Sequence, residues 1–412
     1  MEHDFFRVIS SDRFQALLAG FSPVGEDRID LGGGQGRVVF RDIVAIENIP
    51  ALNRSCMDGY ALRAADTFGA SEGNPGYLEM AHSAAIDEVI AQTLVPGECM
   101  GITTGGSLPP GADAVLMVEH TQILGGTTVE IRKTVAPGEN VMLAGEDIAA
   151  GATAFGRGWR LRPQDVGLLA ALGHAVIPVF RRPRCGIVST GDELVPVEAT
   201  PRPGQIRDVN SHTLACLARQ AGAEVLSYGL VPDSRDALAR AMAKGLEEND
   251  VLFVSGGSSI GVRDLTIAVL ESFADSEILA HGVSISPGKP TILARVGGKP
   301  VLGLPGQVAS AQIVMLVFGQ GLLRHLGGDG RAFDPSRRET RQARLGANVS
   351  SKPGREDYVR VKLEERDGGL VAMPRLGKSG LLRTLIEADG LLCLDAALEG
   401  MTAGRKVSVW IV

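Results

Sequence analysis

The sequence predicts an α/β multidomain protein. Its expected parts are a central doubly wound parallel-sheet domain, a β-rich inserted domain, a small linking domain and a C-terminal β-barrel. Three observations lead there. Short apolar runs alternate with helical patterns from residue 181 to 328, as parallel strands joined by helices do. Residues 31–144 and 329–412 read instead as short strands separated by glycine turns. Two helical stretches flank the first of these β regions, so it reads as an insertion. The expected boundaries are 1–30 with 145–180 for the linking domain, 31–144 for the insertion, 181–328 for the α/β domain and 329–412 for the barrel.

The elements follow in order. Ser10–Gly20 is the first helix: Ser10 or Ser11 caps it, Phe14, Leu17 and Leu18 form its apolar stripe, and Gly20 ends it. The glycine-rich stretch Gly32–Gly36 has no preceding strand and no lysine, so it is a hinge rather than a phosphate loop. Val38–Ile43, Val115–Val118 and Thr128–Ile131 are strands of the β region. Two polar stretches interrupt them, Ser55–Tyr60 and Gly101–Ser107. Taken alone, Asp58-Gly59 is a turn and Thr104 a strand end. Pro163 opens a helix that runs to Leu172 and is closed by Gly173.

In the α/β region, strands Gly186–Ser189, Glu224–Leu230 and Val251–Val254 alternate with helices Ser211–Ala221 and Ser234–Glu247 and with one beginning near Arg263. Strand-like runs recur at Thr291–Ala294 and Pro300–Leu304. The uncharged run Gln307–Leu323 is too short to span a membrane, which takes about 20 apolar residues, and reads as a buried or interface helix. In the last region Tyr358–Leu363 and Val407–Ile411 are strands, with turns at Asp367-Gly368-Gly369 and Ala403-Gly404.

The chemistry gathers at the strand ends. Ser255-Gly256-Gly257-Ser258 follows an apolar strand and precedes a helix, with Asp264 near its start and Lys289 in a later Pro-Gly-Lys-Pro turn. Free backbone N–H groups and a helix dipole make such a loop an anion site, although an ordinary strand-to-helix turn has the same look. The first strand ends in Ser189-Thr190-Gly191-Asp192-Glu193 and the second in Val231-Pro232-Asp233-Ser234. Open α/β sheets bind ligands outside the carboxyl ends of their strands, so these groups are expected to share one crevice. Carboxylates beside bound phosphate call for Mg2+, with Asp233 and Asp264 as the metal ligands.

Composition excludes other classes. Hydrophobic content of 44% in 412 residues allows a large core, whereas 4% aromatics, a net charge of −7 and no long basic run argue against nucleic acid. Five scattered cysteines without a C-x-x-C pair are expected to be reduced and mostly buried. No basic-then-apolar leader is visible, and a cytoplasmic protein without membrane contact is expected.

Against this background the chain resembles the molybdopterin molybdenumtransferase family, of the MoeA and gephyrin E-domain kind. The resembling segments keep their order nearly end to end: SCMDGYA at Ser55–Ala61, ITTGGSLPPGADAV at Ile102–Val115, GEDI at Gly145–Ile148 and STGDEL at Ser189–Leu194. They continue with GQIRDVNS at Gly204–Ser211, Val251–Asp264, SPGKP at Ser286–Pro290, GLPG at Gly303–Gly306, GREDYVRV at Gly354–Val361 and Ser379–Leu385. The resemblance implies a homodimer of four-domain chains whose sites combine the α/β domain of one subunit with the β domain of the other. It implies insertion of molybdenum from molybdate into adenylylated molybdopterin, with Mg2+ and release of AMP. It implies catalytic roles for Asp58, Thr104, Glu193, Asp233 and Asp264. Ser189, Thr190, Gly191, Ser255, Gly256, Gly257 and Ser258 would bind the substrate, and Pro287, Gly288, Lys289, Ser310, Arg355 and Ser379 the oxyanion end. A molybdopterin adenylyltransferase and acceptor molybdoenzymes are implied partners.

The chain departs from the family pattern in three places. Ser286 stands where a lysine is usual, which removes a positive charge beside the oxyanion site; Gln307-Val308 replaces Asn-Pro, and Ser258 replaces valine. Two rival readings stay open. One is a paralogue that holds the pterin or docks partner enzymes without efficient insertion. The other is a nucleotide-handling α/β enzyme such as an adenylyltransferase; the lack of a Walker-type loop disfavours an ordinary NTPase.

Overall fold

The computed structural model describes residues 8–86, 88–256, 260–366 and 368–412, with the side chains of 260–264 outside the description. The chain divides into two compact units, Met1–Asp27 with Val179–Val412, and Arg28–Pro178. Helix α1 (Ser11–Ala19) comes first. The Ser10 hydroxyl accepts from the Arg13 N–H, and Phe14 and Leu18 are fully buried.

The unit Arg28–Pro178 is built on a six-stranded sheet. Its strands are β1 (Gly59–Leu62), β2 (Gly76–Ser83), β3 (Glu98–Ile102), β4 (Ala114–Met117), β5 (Thr121–Leu124) and β6 (Thr128–Ile131), in the order β4-β1-β3-β2-β6-β5. Leu62, Leu78, Cys99, Leu116, Val129 and Ile131 fill its core. Helix α2 (Pro163–Ala171) begins and ends as expected. The strand expected over Val38–Ile43 does not form: Val38 makes a single bridge to Arg160, and pairing resumes only at Ile43–Val44. Asp42 lies in this break, where its carboxylate accepts the N–H of Arg157, 115 residues on, at 2.7 Å.

In the other unit the central sheet contains β7 (Arg184–Thr190), β10 (Glu224–Val231), β11 (Val251–Gly256), β12 (Ser276–His281), β14 (Ile292–Val296) and β15 (Lys299–Pro305), and a short ribbon of β8 (Leu194–Val195) and β9 (Ile206–Arg207) follows β7. Strand order is β10-β7-β11-β15-β14-β12. The first four strands are parallel, as expected, but β14 runs antiparallel to both its neighbours, β15 and β12, so the sheet is mixed. The hairpin between β14 and β15 turns at Gly297-Gly298, both with positive φ, and this tight turn replaces a helical crossover. Helices α3 (Asn210–Gln220), α4 (Arg235–Glu248) and α5 (Ile260–Leu270) cover the sheet. Alternation along the strands divides the core: Ile187, Phe253 and Leu302 pack with α1 and α3 residues, and Val188, Leu252, Val254 and Val301 pack with Leu238 and Met242 of α4. Helix α5 starts at Ile260, ahead of the expected Arg263, which puts Asp264 in its second turn rather than at its start.

The apolar run after β15 forms α6 (Val308–Val314), a π-helical turn (Met315–Gly319) and α7 (Gln320–Leu326), buried in the same core with Phe318 against Phe14 at 4.7 Å between ring centroids. Among the described residues no helix is long and apolar enough to cross a membrane. The last region closes into a five-stranded barrel of β16 (Thr340–Leu345), β17 (Glu356–Arg366), β18 (Gly369–Pro374), β19 (Gly390–Leu394) and β20 (Lys406–Ile411), sealed by β17 pairing with β19. Short β13 (Ile285–Ser286) adds alongside the start of β17. Asp367 of the expected turn lies outside the described residues; Gly368 behind it has φ +75°.

All five cysteines are free, but only Cys99 and Cys185 are buried. The expectation of mostly buried thiols fails because Cys216 and Cys393 sit on outward faces of α3 and β19.

Candidate active site

Register brings the strand ends level. Ser189 pairs with Ser255 and Thr190 with Gly256 across β7 and β11, Gly256 pairs with Pro305 of β15, and Thr190 pairs with Val231 of β10. The order of the sheet reverses between β10-β7 and β7-β11, which is where an open sheet leaves a crevice. Gly256 is required there: a Cβ would lie 2.1 Å from the Thr190 methyl carbon and 2.8 Å from its carbonyl oxygen.

A cavity of about 480 Å³ opens at these ends. Ser189, Thr190, Glu193, Ser255 and Gly256 form part of its wall, together with the β9–α3 segment Gln205–Asn210, Gly306–Val308, Gly380 and Leu382. The Thr190 hydroxyl donates to Asp233 Oδ1 at 2.6 Å, and the Asp233 N–H donates to Asp192 Oδ1 at 3.0 Å. Gly191 lies directly against the Glu193 side chain, whose Oε2 would be 2.7 Å from a Cβ there. Glu193 itself is exposed, and its carbonyl accepts the Ile206 N–H where the ribbon of β8 and β9 forms one side of the cavity.

Two wall residues carry chemistry that the sequence reading left unassigned. Asp208 is 5% exposed and accepts from the Ser211 N–H at 3.1 Å, from the Ser211 hydroxyl and from the Ser189 hydroxyl at 3.5 Å. Asn210 donates through Nδ2 to Ser255 Oγ at 2.8 Å and to the Gly306 carbonyl at 2.9 Å. A carbonyl can only accept, so the amide orientation is set, and Asn210 Oδ1 is buried with no partner among the described residues. The signal was present as Asp-Val-Asn-Ser ahead of a helix, but such a run is also what a helix start looks like.

The remaining candidates form separate groups. Gly257 and Ser258 lie outside the described residues, as does the side chain of Asp264. Pro287, Gly288 and Lys289 follow β13, whose Ile285 and Ser286 pair with Glu356 and Asp357 of β17. Arg355 is in the same place, with its guanidinium 3.2 Å from Asp357. None of these four is in the cavity wall. Ser310 is buried in the first turn of α6, and the Ser379 carbonyl accepts the Ala309 N–H at 2.9 Å, which places the loop before Gly380 against the start of that helix.

In the unit Arg28–Pro178, Asp58 and Thr104 meet directly. Asp58 Oδ1 accepts from the Thr104 N–H at 2.7 Å and from its hydroxyl at 2.9 Å. The N–H first, and then the hydroxyl, hold this exposed carboxyl below its ordinary value. Gly59 is needed beside it, because a Cβ would fall 2.0 Å from the Leu116 carbonyl oxygen.

The chain has relatives among known proteins over most of its length. The family descriptions "MoeA N-terminal region (domain I and II)", "Probable molybdopterin binding domain" and "MoeA C-terminal region (domain IV)" match residues 9–173, 186–325 and 342–412. The molybdopterin molybdenumtransferase 2 of Mycobacterium tuberculosis is 34% identical over 390 residues, covering 93% of this chain and 94% of that protein. The molybdopterin molybdenumtransferase of Bacillus subtilis is 30% identical over 380 residues, covering 91% and 87%. A crystal structure of the molybdopterin biosynthesis MoeA protein from Pyrococcus horikoshii superposes with a TM-score of 0.81 at 34% identity, over 98% of this chain and 99% of that one. This chain belongs to the MoeA family and is an enzyme of the molybdopterin molybdenumtransferase kind, the name that several of its curated relatives carry.

Proposed function

We propose that the chain inserts molybdenum from molybdate into adenylylated molybdopterin and releases AMP. Its family gives it a role in molybdenum cofactor biosynthesis. The finer reading rests on one observation: the ends of β7, β11 and β15 and the start of α3 converge on one cavity, with hydroxyls and carboxylates side by side. Ser189, Thr190 and Ser255 offer hydroxyls, and Gly256 lets the backbone approach a phosphate closely. Glu193 is exposed in the wall and is suited to orient water at the phosphoanhydride.

Asp233 fits the Mg2+ that the family implies. One of its carboxylate oxygens takes the Thr190 hydroxyl, and the other has no partner among the described residues. Among the described residues no three His, Cys, Asp or Glu side chains form a closed metal site. Mg2+ needs only one or two carboxylates when substrate phosphates supply further oxygens, and Asp264 would be the second. When bound, the ion neutralises charge on those phosphates.

The same reading makes the chain a cytoplasmic homodimer of four-domain subunits, with a molybdopterin adenylyltransferase upstream and acceptor molybdoenzymes downstream. Asp58 and Thr104 would act on the ligand from the β domain of the second subunit. Purified protein given adenylylated molybdopterin, Mg2+ and molybdate should release AMP in a molybdate-dependent manner and reconstitute an apo-molybdoenzyme. Tight pterin binding with no molybdate-dependent AMP release would sink the insertion reading. It would favour a non-catalytic or altered-specificity paralogue, for which Gln307 in the cavity wall is the motivating observation.

A further inference from the structure

Arg360 on β17 is 8% exposed, and among the described residues no carboxylate pairs with it. Its hydrogen bonds go to neutral groups: Nη1 donates to Thr384 Oγ1 and Nη2 to the Gly377 carbonyl, both at 2.9 Å. Nε is buried without a partner. The Thr384 hydroxyl in turn donates to the Leu381 carbonyl at 2.8 Å. Gly377 and Thr384 are also in contact, since a Cβ on Gly377 would lie 2.8 Å from Thr384 Cγ2. One guanidinium therefore ties both ends of the loop Gly377–Thr384.

That loop carries Lys378 and Ser379, places Gly380 and Leu382 in the cavity wall, and is pinned to Ala309 through the Ser379 carbonyl. Among the described residues the N–H groups of Gly377, Lys378, Ser379 and Gly380 have no acceptor. Unpaired backbone N–H groups can donate to a bound anion. A buried guanidinium with no counter-ion is costly, and an anion seated on the loop would offset that cost.

We propose that Arg360 is a positioning residue for the oxyanion: its buried charge, held beneath the loop Gly377–Thr384, sets the affinity of that wall for a small tetrahedral dianion such as molybdate. This rests on the reading of the cavity as the insertion site. Oxyanion binding is therefore scored directly, apart from AMP release, so that the two readings can fail separately.

The experiment is calorimetric titration of the full chain with molybdate alone at low salt, with sulfate as competitor. Arg360→Met should weaken molybdate binding at least about tenfold, and Arg360→Lys, which keeps the charge and loses the two-ended tie, should recover most of it. In turnover Arg360→Met should raise the molybdate KM with little change in kcat. Unchanged molybdate affinity in a folded Arg360→Met overturns the proposal, as does an Arg360→Lys that is folded and as weak as Arg360→Met. If Arg360→Met does not fold, the lysine variant decides alone. Failure of the unmodified chain to bind molybdate overturns the proposal whatever AMP release shows.

Discussion

Asp58 shows how a local contact sets the state of a single residue. It is exposed, so its charge comes from geometry rather than burial: the Thr104 N–H and hydroxyl both stabilise the carboxylate. The folded value is depressed, so this contribution is present above the unfolded value and is lost as pH falls through the folded one. Thr104→Val removes the hydroxyl and leaves the N–H. In an NMR titration the Asp58 midpoint should move up toward the ordinary value of about 3.9 without reaching it; an unmoved midpoint would show that the hydroxyl has no part in it. The sequence named both members of this pair only through the family resemblance, because Asp-Gly is turn chemistry anywhere and a separation of 46 positions hides their contact. Asp208 and Asn210 were hidden for a related reason. Their polarity is spent on Ser211, Ser189, Ser255 and Gly306, and the last two are distant in sequence.

At the scale of elements, the parallel strands were legible because burial on both faces leaves continuous apolar runs, as in Val251–Val254. Pairing direction was not legible for β14 and β15, whose apolar runs look the same whether a helix or a two-glycine turn joins them. Nor could the sequence show that Val38–Ile43 pairs only through a bridge at Val38 and a short ladder from Ile43, because the partners Arg160 and Thr153–Phe155 are more than a hundred residues away. The strand ends are where sequence and packing constrain each other most closely, and Gly256 is the test. Alanine there has no space against Thr190 without parting β7 from β11. Gly256→Ala should lower the urea midpoint of the unit Met1–Asp27 with Val179–Val412 by the equivalent of about 1–3 kcal/mol, with the slope unchanged. A midpoint equal to that of the parent would mean that the two strand ends separate at no cost, and would remove the argument that their register defines the cavity.

For the whole molecule, the chemistry-bearing residues fall into two units, Asp58 and Thr104 in Arg28–Pro178 and the strand-end cavity in the other. Composition and motif order announced an α/β multidomain chain. They carried no information on whether or how subunits pair, because that depends on surfaces rather than on periodicity. The proposed homodimer with shared sites makes a quantitative demand. Asp58→Ala and Asp264→Asn should each abolish AMP release as pure homodimers. Co-expressed at equal levels, the two chains should pair at random, so that half the dimers are mixed and each mixed dimer has one site with both residues intact. The mixture should then recover about a quarter of the parent activity. If Asp58 and Asp264 instead serve the same chain, every site in every dimer lacks one of them, and an inactive mixture of folded, paired chains would overturn the shared-site reading.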